Sequence, residues 1–195
     1  MPMQGRPKNF EPEVVLRQAL EVFWTKGYEA TSLTDLLGAM GLGRQSFYSE
    51  FGSKRELFLL AVRNYAENET AAMISLIRGG ETALEGIRSF FEEAMQAHFS
   101  QARRGCFLTN SIAILSKSDG DFRECLESCV GGLREAFVER VEEGIESGEF
   151  AQDIDSEAMG MLFFVIGQGL SVAGKCVQSR KQVEASVKEL LKLLR

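Results

Sequence analysis

The chain has 195 residues, of which 45% are hydrophobic and 26% charged, the balance of a folded globular protein and not of a disordered one. Its net charge of −6 excludes a protein that coats nucleic acid by bulk charge, and Met1 to Phe10 hold no apolar run of signal-peptide type. Four cysteines without a CxxC pair and a single histidine, His98, argue against a zinc site, so no metal or cofactor is expected; a reducing, cytoplasmic compartment fits.

No strand-type alternation and no internal repeat is present, and the pattern is helical throughout. From Val14, the residues Leu16, Leu20, Phe23 and Trp24 recur at spacings of three and four, and Lys26-Gly27 ends that helix as a cation followed by glycine. Thr31-Ser32 opens a short second helix, with Ser32 and Asp35 at capping-box spacing and Leu33, Leu36, Leu37 and Met40 on its inner face. Gly41 breaks it. A third short helix covers Arg44 to Phe51, Gly52 ends it, and Ser53-Lys54-Arg55-Glu56 caps a long fourth helix to about Ile77. Helices are then expected over Thr82–Ser100, Cys106–Leu115, Phe122–Glu146, from Asp155 to about Val177, and over Gln182–Leu194. The fold class is all-α, with about nine helices. The uncharged run from Ala158 to Gly174 is too short to span a bilayer comfortably and is broken by Gln168 and glycines, so no membrane is expected as a partner.

Charge is divided unevenly. Residues 1–63 hold 8 Lys+Arg against 7 Asp+Glu, whereas the remainder holds 14 against 21. If any part meets a polyanion, it is the first third. That part also carries two short helices joined by a glycine turn, the helix-turn-helix pattern, whose second helix projects its first residues into a major groove. Phe47 and Phe51 share one face and are expected to be buried. Arg44, Gln45 and Tyr48 fall on the other face, where Arg suits guanine O6/N7 and Gln suits adenine N6/N7. Ser46 can serve a base edge or a phosphate. By periodicity alone, such a segment occurs in many all-helical proteins.

The residue string is more specific. Thr31-Ser32-Leu33, Gly41-Leu42-Gly43-Arg44-Gln45-Ser46-Phe47-Tyr48 and Phe51-Gly52-Ser53-Lys54-Arg55-Glu56-Leu57 closely resemble the TetR family of transcriptional repressors. The lead-in resembles it too, from Gly5-Arg6-Pro7 through Ala19-Leu20, Phe23 and Gly27-Tyr28, in one gapless register over about residues 10–62. The resemblance implies that Thr31, Tyr48 and Lys54 contact phosphates, that Arg44, Gln45 and Ser46 face bases, and that Arg6 reaches a minor groove. With Ser32, these are the candidate DNA-contacting residues. Three departures stand out: Gly43 replaces a common serine, Gln45 replaces a small residue, and Glu50 replaces a frequent histidine. The operator of relatives is therefore not transferable.

The resemblance also implies a division into a DNA-binding head (residues 1–55) and a ligand-binding and dimerisation body (56–195). The Asp155–Val177 helix is apolar on most of its circumference through Met159, Met161, Leu162, Phe163, Phe164, Val165 and Ile166, and Gly160, Gly167, Gly169 and Gly174 allow close helix approach. It can build a four-helix bundle with a second copy or serve as the core helix of one chain. Phe90, Phe91, Phe99, Phe107, Phe163 and Phe164 offer apolar lining for an inducer, with His98, Asn110 and Gln168 as sparse polar groups; taken one by one, each aromatic reads more readily as plain core. Arg103-Arg104-Gly105-Cys106-Phe107-Leu108 resembles a Gly-Cys-Leu/Phe segment of a TetR subgroup in which some members sense electrophiles or oxidants. Cys106 sits at a predicted helix start behind two arginines, a setting that favours thiolate, although a free Cys is often only a small buried hydrophobe. Cys125 and Cys129 read as packing residues.

The expected function is that of a homodimeric repressor that binds a palindromic operator in double-stranded DNA and is released by a small-molecule inducer. Alternatives are a Cys106-switched repressor and a lipid- or small-molecule-binding helical bundle without a DNA role. No catalytic set, phosphate-cradling loop or ligand cluster points to an enzyme.

Overall fold

Capping chemistry places the helix boundaries. The computed structural model describes residues 11–99, 104–115, 120–177 and 179–195, and among these it shows nine α-helices, one 3-10 turn and no strand. Helix α1 (Pro12–Lys26) starts on a proline whose missing N–H leaves nothing unsatisfied in a first turn, and Gly27 closes it. Helix α2 (Leu33–Met40) opens on a complete capping box: Asp35 N donates to Ser32 Oγ, and Ser32 N donates back to Asp35 Oδ2. Gly41, at φ +62°, supplies the left-handed turn into α3 (Arg44–Phe51), a conformation that a side chain would disfavour.

Helix α4 (Lys54–Arg78) follows, with Ser53 Oγ accepting from Glu56 N as expected. The chain divides into compact units after Asn64, later than the boundary near residue 55 read from the sequence. The first turns of α4 carry Leu57, Phe58, Ala61 and Val62, all buried, so they belong with the head. The core of the head also holds Val15, Leu16, Ala19, Phe23, Leu36, Met40, Phe47 and Phe51.

The second unit contains α5 (Ala83–His98), α6 (Phe107–Leu115), α7 (Gly120–Glu146), α8 (Ser156–Cys176), α9 (Arg180–Leu191) and the 3-10 turn Lys192–Leu194. Helices α5, α7 and α8 pack on one another, and α9 packs on α5. Their core is a cluster of rings: Phe90, Phe91, Phe137 and Phe163 meet at centroid distances of 4.8 to 6.2 Å. Arg140 of α7 reaches back to the turn between α4 and α5, where its Nη2 donates to the carbonyls of Gly79, Gly80 and Thr82. The side chains of Cys125 and Cys129 lie outside the described residues.

In the single chain helix α8 leaves one side uncovered: Met161, Val165 and Val172 are 44%, 52% and 57% exposed. With Gly169 and Cys176, also exposed, they form one stripe at helical spacing. The opposite face carries Gly160, Gly167 and Gly174 at intervals of seven. A Cβ on Gly160 would stand 3.1 Å from Val138 N, and one on Gly167 would stand 3.0 Å from the Phe90 ring. These three glycines therefore serve close packing inside the chain, and Gly169 alone of the four is open. Among the described residues α8 is the one helix with the length and hydropathy to cross a bilayer, yet Phe163, Leu170 and Ser171 commit one side of it to this core.

Two substitutions should separate close approach from helix propensity. Gly174→Ala would push a methyl against the His98 carbonyl and should lower unfolding free energy by about 1–3 kcal/mol. Gly131→Ala, in open space on α7, should raise it by about 0.5–1 kcal/mol, with both read from urea melts at pH 7.

Candidate nucleic-acid interface and ligand cavity

Helix α3 has eight residues, too few to hold itself together in water. Phe47 and Phe51 are 0% and 7% exposed, with ring centroids 5.8 Å apart, and they fasten it to the head. The 3.6-residue period then fixes the opposite face. Arg44, Gln45 and Ser46 are exposed, and Tyr48 is 52% exposed. Gly43 provides no side-chain cap, so the first amides of α3 keep their capacity for a phosphate oxygen.

Lys54 begins α4, and its Nζ stands 4.4 Å from the centre of the Tyr28 ring, a cation–π arrangement. Tyr28 is itself wedged 4.7 Å from Phe58 and 6.1 Å from Phe23. The ammonium is thus held on an aromatic platform. Tyr28 was not singled out from the sequence, although its place after Gly27, at the end of an apolar helix, is a usable signal.

Thr31 and Ser32 behave differently from expectation. Thr31 is 1% exposed and its hydroxyl donates to the Gly27 carbonyl at 2.6 Å. It latches the turn from α1 to α2, and a hydroxyl held inside in this way does not present itself to a phosphate. The Ser32 hydroxyl is engaged with Asp35 as both donor and acceptor. Lys26 beside Asp35, helped by Ser32, holds that carboxyl well below the usual carboxylate range. Arg6 lies outside the described residues.

The second unit contains a cavity of about 100 Å³. His98, Cys106 and Gln168 line it, as the sequence reading placed them, together with Phe90. The other three candidates do not line it. Phe163 is fully buried in the ring cluster, and Phe107 is buried with its ring edge-on to Tyr65 at 5.6 Å. Asn110 turns aside: its amide donates to the Arg104 carbonyl and its oxygen accepts from Lys175 Nζ. The cavity instead has Tyr65, Glu69 and Met73 from α4 and Ser171 from α8. Tyr65, Glu69 and Met73 are spaced by four along one helix face, which is the signal in the sequence that points to them. Tyr65 donates its hydroxyl to Cys106 Sγ at 3.7 Å, and Cys106 N donates to Ser171 Oγ at 2.9 Å. Burial foremost, then Cys106, pushes the Tyr65 hydroxyl far above the phenolic range. Burial also pushes His98 down, with Lys175 adding to the effect.

Residues 15–61 match the family described as bacterial regulatory proteins, tetR family, and residues 83–190 match the tetracyclin repressor-like C-terminal domain. The chain belongs to the TetR family. It is 36% identical over 157 residues to YezE of Bacillus subtilis (strain 168), an uncharacterized HTH-type transcriptional regulator, covering 80% of this chain and 81% of YezE. It is 30% identical over 179 residues to the HTH-type transcriptional repressor ComR of Escherichia coli (strain K12), covering 88% and 83% of the two chains. Among solved structures, a cysteine mutant of the TetR family transcriptional regulator CifR, complexed with 26bp double-strand operator DNA, superposes with a TM-score of 0.80. That comparison has 30% identity and covers 97% of this chain and 100% of CifR. The match over residues 15–61 includes the whole of α3 with its exposed face, and the alternative of a helical bundle with no DNA role gives way to it. The protein is a TetR-family transcriptional regulator.

Within a TetR head built this way, phosphate and base contacts should separate experimentally. Lys54→Ala should weaken binding to every duplex and reduce the slope of log affinity against log salt by about 1. Gln45→Ala should cost about 1–3 kcal/mol on the preferred sequence and little on unrelated DNA. Fluorescence anisotropy between about 50 and 200 mM salt reads both.

Proposed function

We propose that this TetR-family protein represses transcription by binding a palindromic operator as a homodimer, and that a small molecule in the cavity of the second unit releases it. The observation that carries the reading is the outward face of α3, where Arg44, Gln45, Ser46 and Tyr48 stand exposed over two buried phenylalanines. A single helix of that length buries too little surface to specify a site, so two copies reading half-sites about one or two helical turns apart are expected. The exposed stripe of α8 supports the second copy, since Met161, Val165 and Val172 are apolar and uncovered in the single chain. ComR is named a repressor, and CifR was captured on operator DNA; both are similar to this chain over most of its length.

Release needs a ligand that prefers the conformation unable to bind DNA. Helix α4 is suited to carry that preference. It is one helix of 25 residues with Lys54 at its start and the cavity residues Tyr65, Glu69 and Met73 further along.

A second reading is favoured by one contact. Cys106 lines the cavity, and Tyr65 donates a hydrogen bond to its sulfur, which places a nucleophilic atom where a ligand would sit. In that reading an electrophile adds to the thiol and release is covalent.

The test is binding to the DNA flanking the protein's own gene, with analytical ultracentrifugation alongside. The wild type should sediment as a dimer and shift the duplex. Val165→Glu should give monomers and lose operator binding while keeping its helical circular dichroism. A monomeric wild type that still binds tightly would refute the dimeric reading. In the same assay, release that persists in Cys106→Ser supports the reversible ligand, and release abolished by it supports the covalent one.

A further inference from the structure

The cavity has a chemical character that goes beyond the presence of a ligand. At about 100 Å³ it is smaller than the engineered apolar cavity of about 150 Å³ that holds benzene, so a ligand of only a few heavy atoms fits without rearrangement. Ala66, Met73, Phe90, Ala94, Leu108 and Leu133 make most of the wall apolar. Among the described residues, no lysine or arginine lines it. Lys175, the cation in this neighbourhood, is turned to Asn110. An anion entering here would meet Glu69, while the Lys175 ammonium, near enough to bias His98, is engaged by Asn110.

The ionisable wall groups are biased in the same sense. Glu69 is exposed, yet its carboxyl is pushed up, first by partial burial and then by Glu93. His98 is pushed down, so it is neutral at pH 7, and the Tyr65 hydroxyl keeps its proton. Each shift favours the uncharged form, as expected where the surroundings solvate charge poorly. Polar specificity is left to few atoms. Tyr65 donates to Cys106, Ser171 accepts from Cys106 N, and the Gln168 carbonyl oxygen accepts from Thr109. The Gln168 amide nitrogen remains to donate to a ligand, in the amide orientation that the Thr109 bond assigns.

We propose that the cavity takes a small uncharged organic molecule of about four or five non-hydrogen atoms, apolar except for one hydrogen-bond-accepting oxygen held by the Gln168 amide, and that it rejects carboxylates of the same size. Alcohols, aldehydes and ketones belong to this class. The inference rests on the ligand-release reading above and narrows it to a ligand chemistry.

The experiment uses the full chain with three probes of five non-hydrogen atoms: 2-butanone, propionate and 1-butylamine. Melting temperature reports binding, and anisotropy of a labelled operator duplex reports release. 2-Butanone should raise the melting temperature and release the duplex at a concentration at least tenfold lower than either charged probe. Glu69→Lys should bring the propionate midpoint down by tenfold or more, and Gln168→Leu should weaken the response to 2-butanone. Propionate or 1-butylamine acting at or below the concentration of 2-butanone would overturn the proposal, as would a melting temperature that none of the three moves. Failure of the ligand-free protein to bind any operator duplex would overturn the repressor reading instead, and the melting shifts would then still decide the ligand class.

Discussion

Burial of two phenylalanine rings is the constraint from which the outward face of α3 follows. An eight-residue helix has little stability of its own, and α3 also lacks a side-chain cap at its start. Phe47 and Phe51, one turn apart, remove one side of it from water, each ring contributing on the order of 2–3 kcal/mol of burial. Once that side is committed, the period of the helix leaves Arg44, Gln45 and Tyr48 no choice but to face out. The turn before it is held just as tightly. Gly41 takes the left-handed conformation, Thr31 closes on Gly27, and Lys26, Ser32 and Asp35 tie the end of α1 to the start of α2. Rigidity matters here because base readout depends on donors placed to within tenths of an ångström.

The second unit applies the same physics to a different end. Its ring cluster is closely packed, and one cavity lies beside it, between Phe90 and residues of α4, α6 and α8. A helix that bears both a phosphate-binding candidate and part of a cavity wall is an economical coupling element, because a helix transmits displacement along its axis with little bending. The uncovered stripe of α8 adds the third requirement of a palindrome reader, a surface on which two copies can meet.

Much of the fold was legible because its signals are local. Ser32 and Asp35, Ser53 and Glu56, Gly41 and Gly52 each act within one turn, and the helices they bound lie where the sequence placed them. The outward trio of α3 was legible for the same reason, since a face is set by period alone. What escaped depends on partners far along the chain. Phe163 and Phe91 were read as possible lining, but the ring of Phe137, contributed by α7, draws both into the core. Asn110 was read as a ligand group, but Lys175, sixty-five positions away, occupies it. The three inward glycines of α8 were read with Gly169 as one set, and only packing against Val138, Phe90 and His98 separates them. Tyr65 and Glu69 escaped because the partners that enclose them, Cys106 and Ser171 among them, lie far along the chain.

The central claim is that position 45 meets DNA while the stripe of α8 meets a second copy, and site-specific photocrosslinking tests it most directly. A benzoyl-phenylalanine side chain would be placed either at position 45 or at position 172, and the protein irradiated on its operator duplex. The account predicts crosslinks from position 45 to bases at two symmetry-related places in the duplex, and from position 172 to another copy of the chain. Crosslinks from position 45 to protein alone, or from position 172 to DNA, would contradict it.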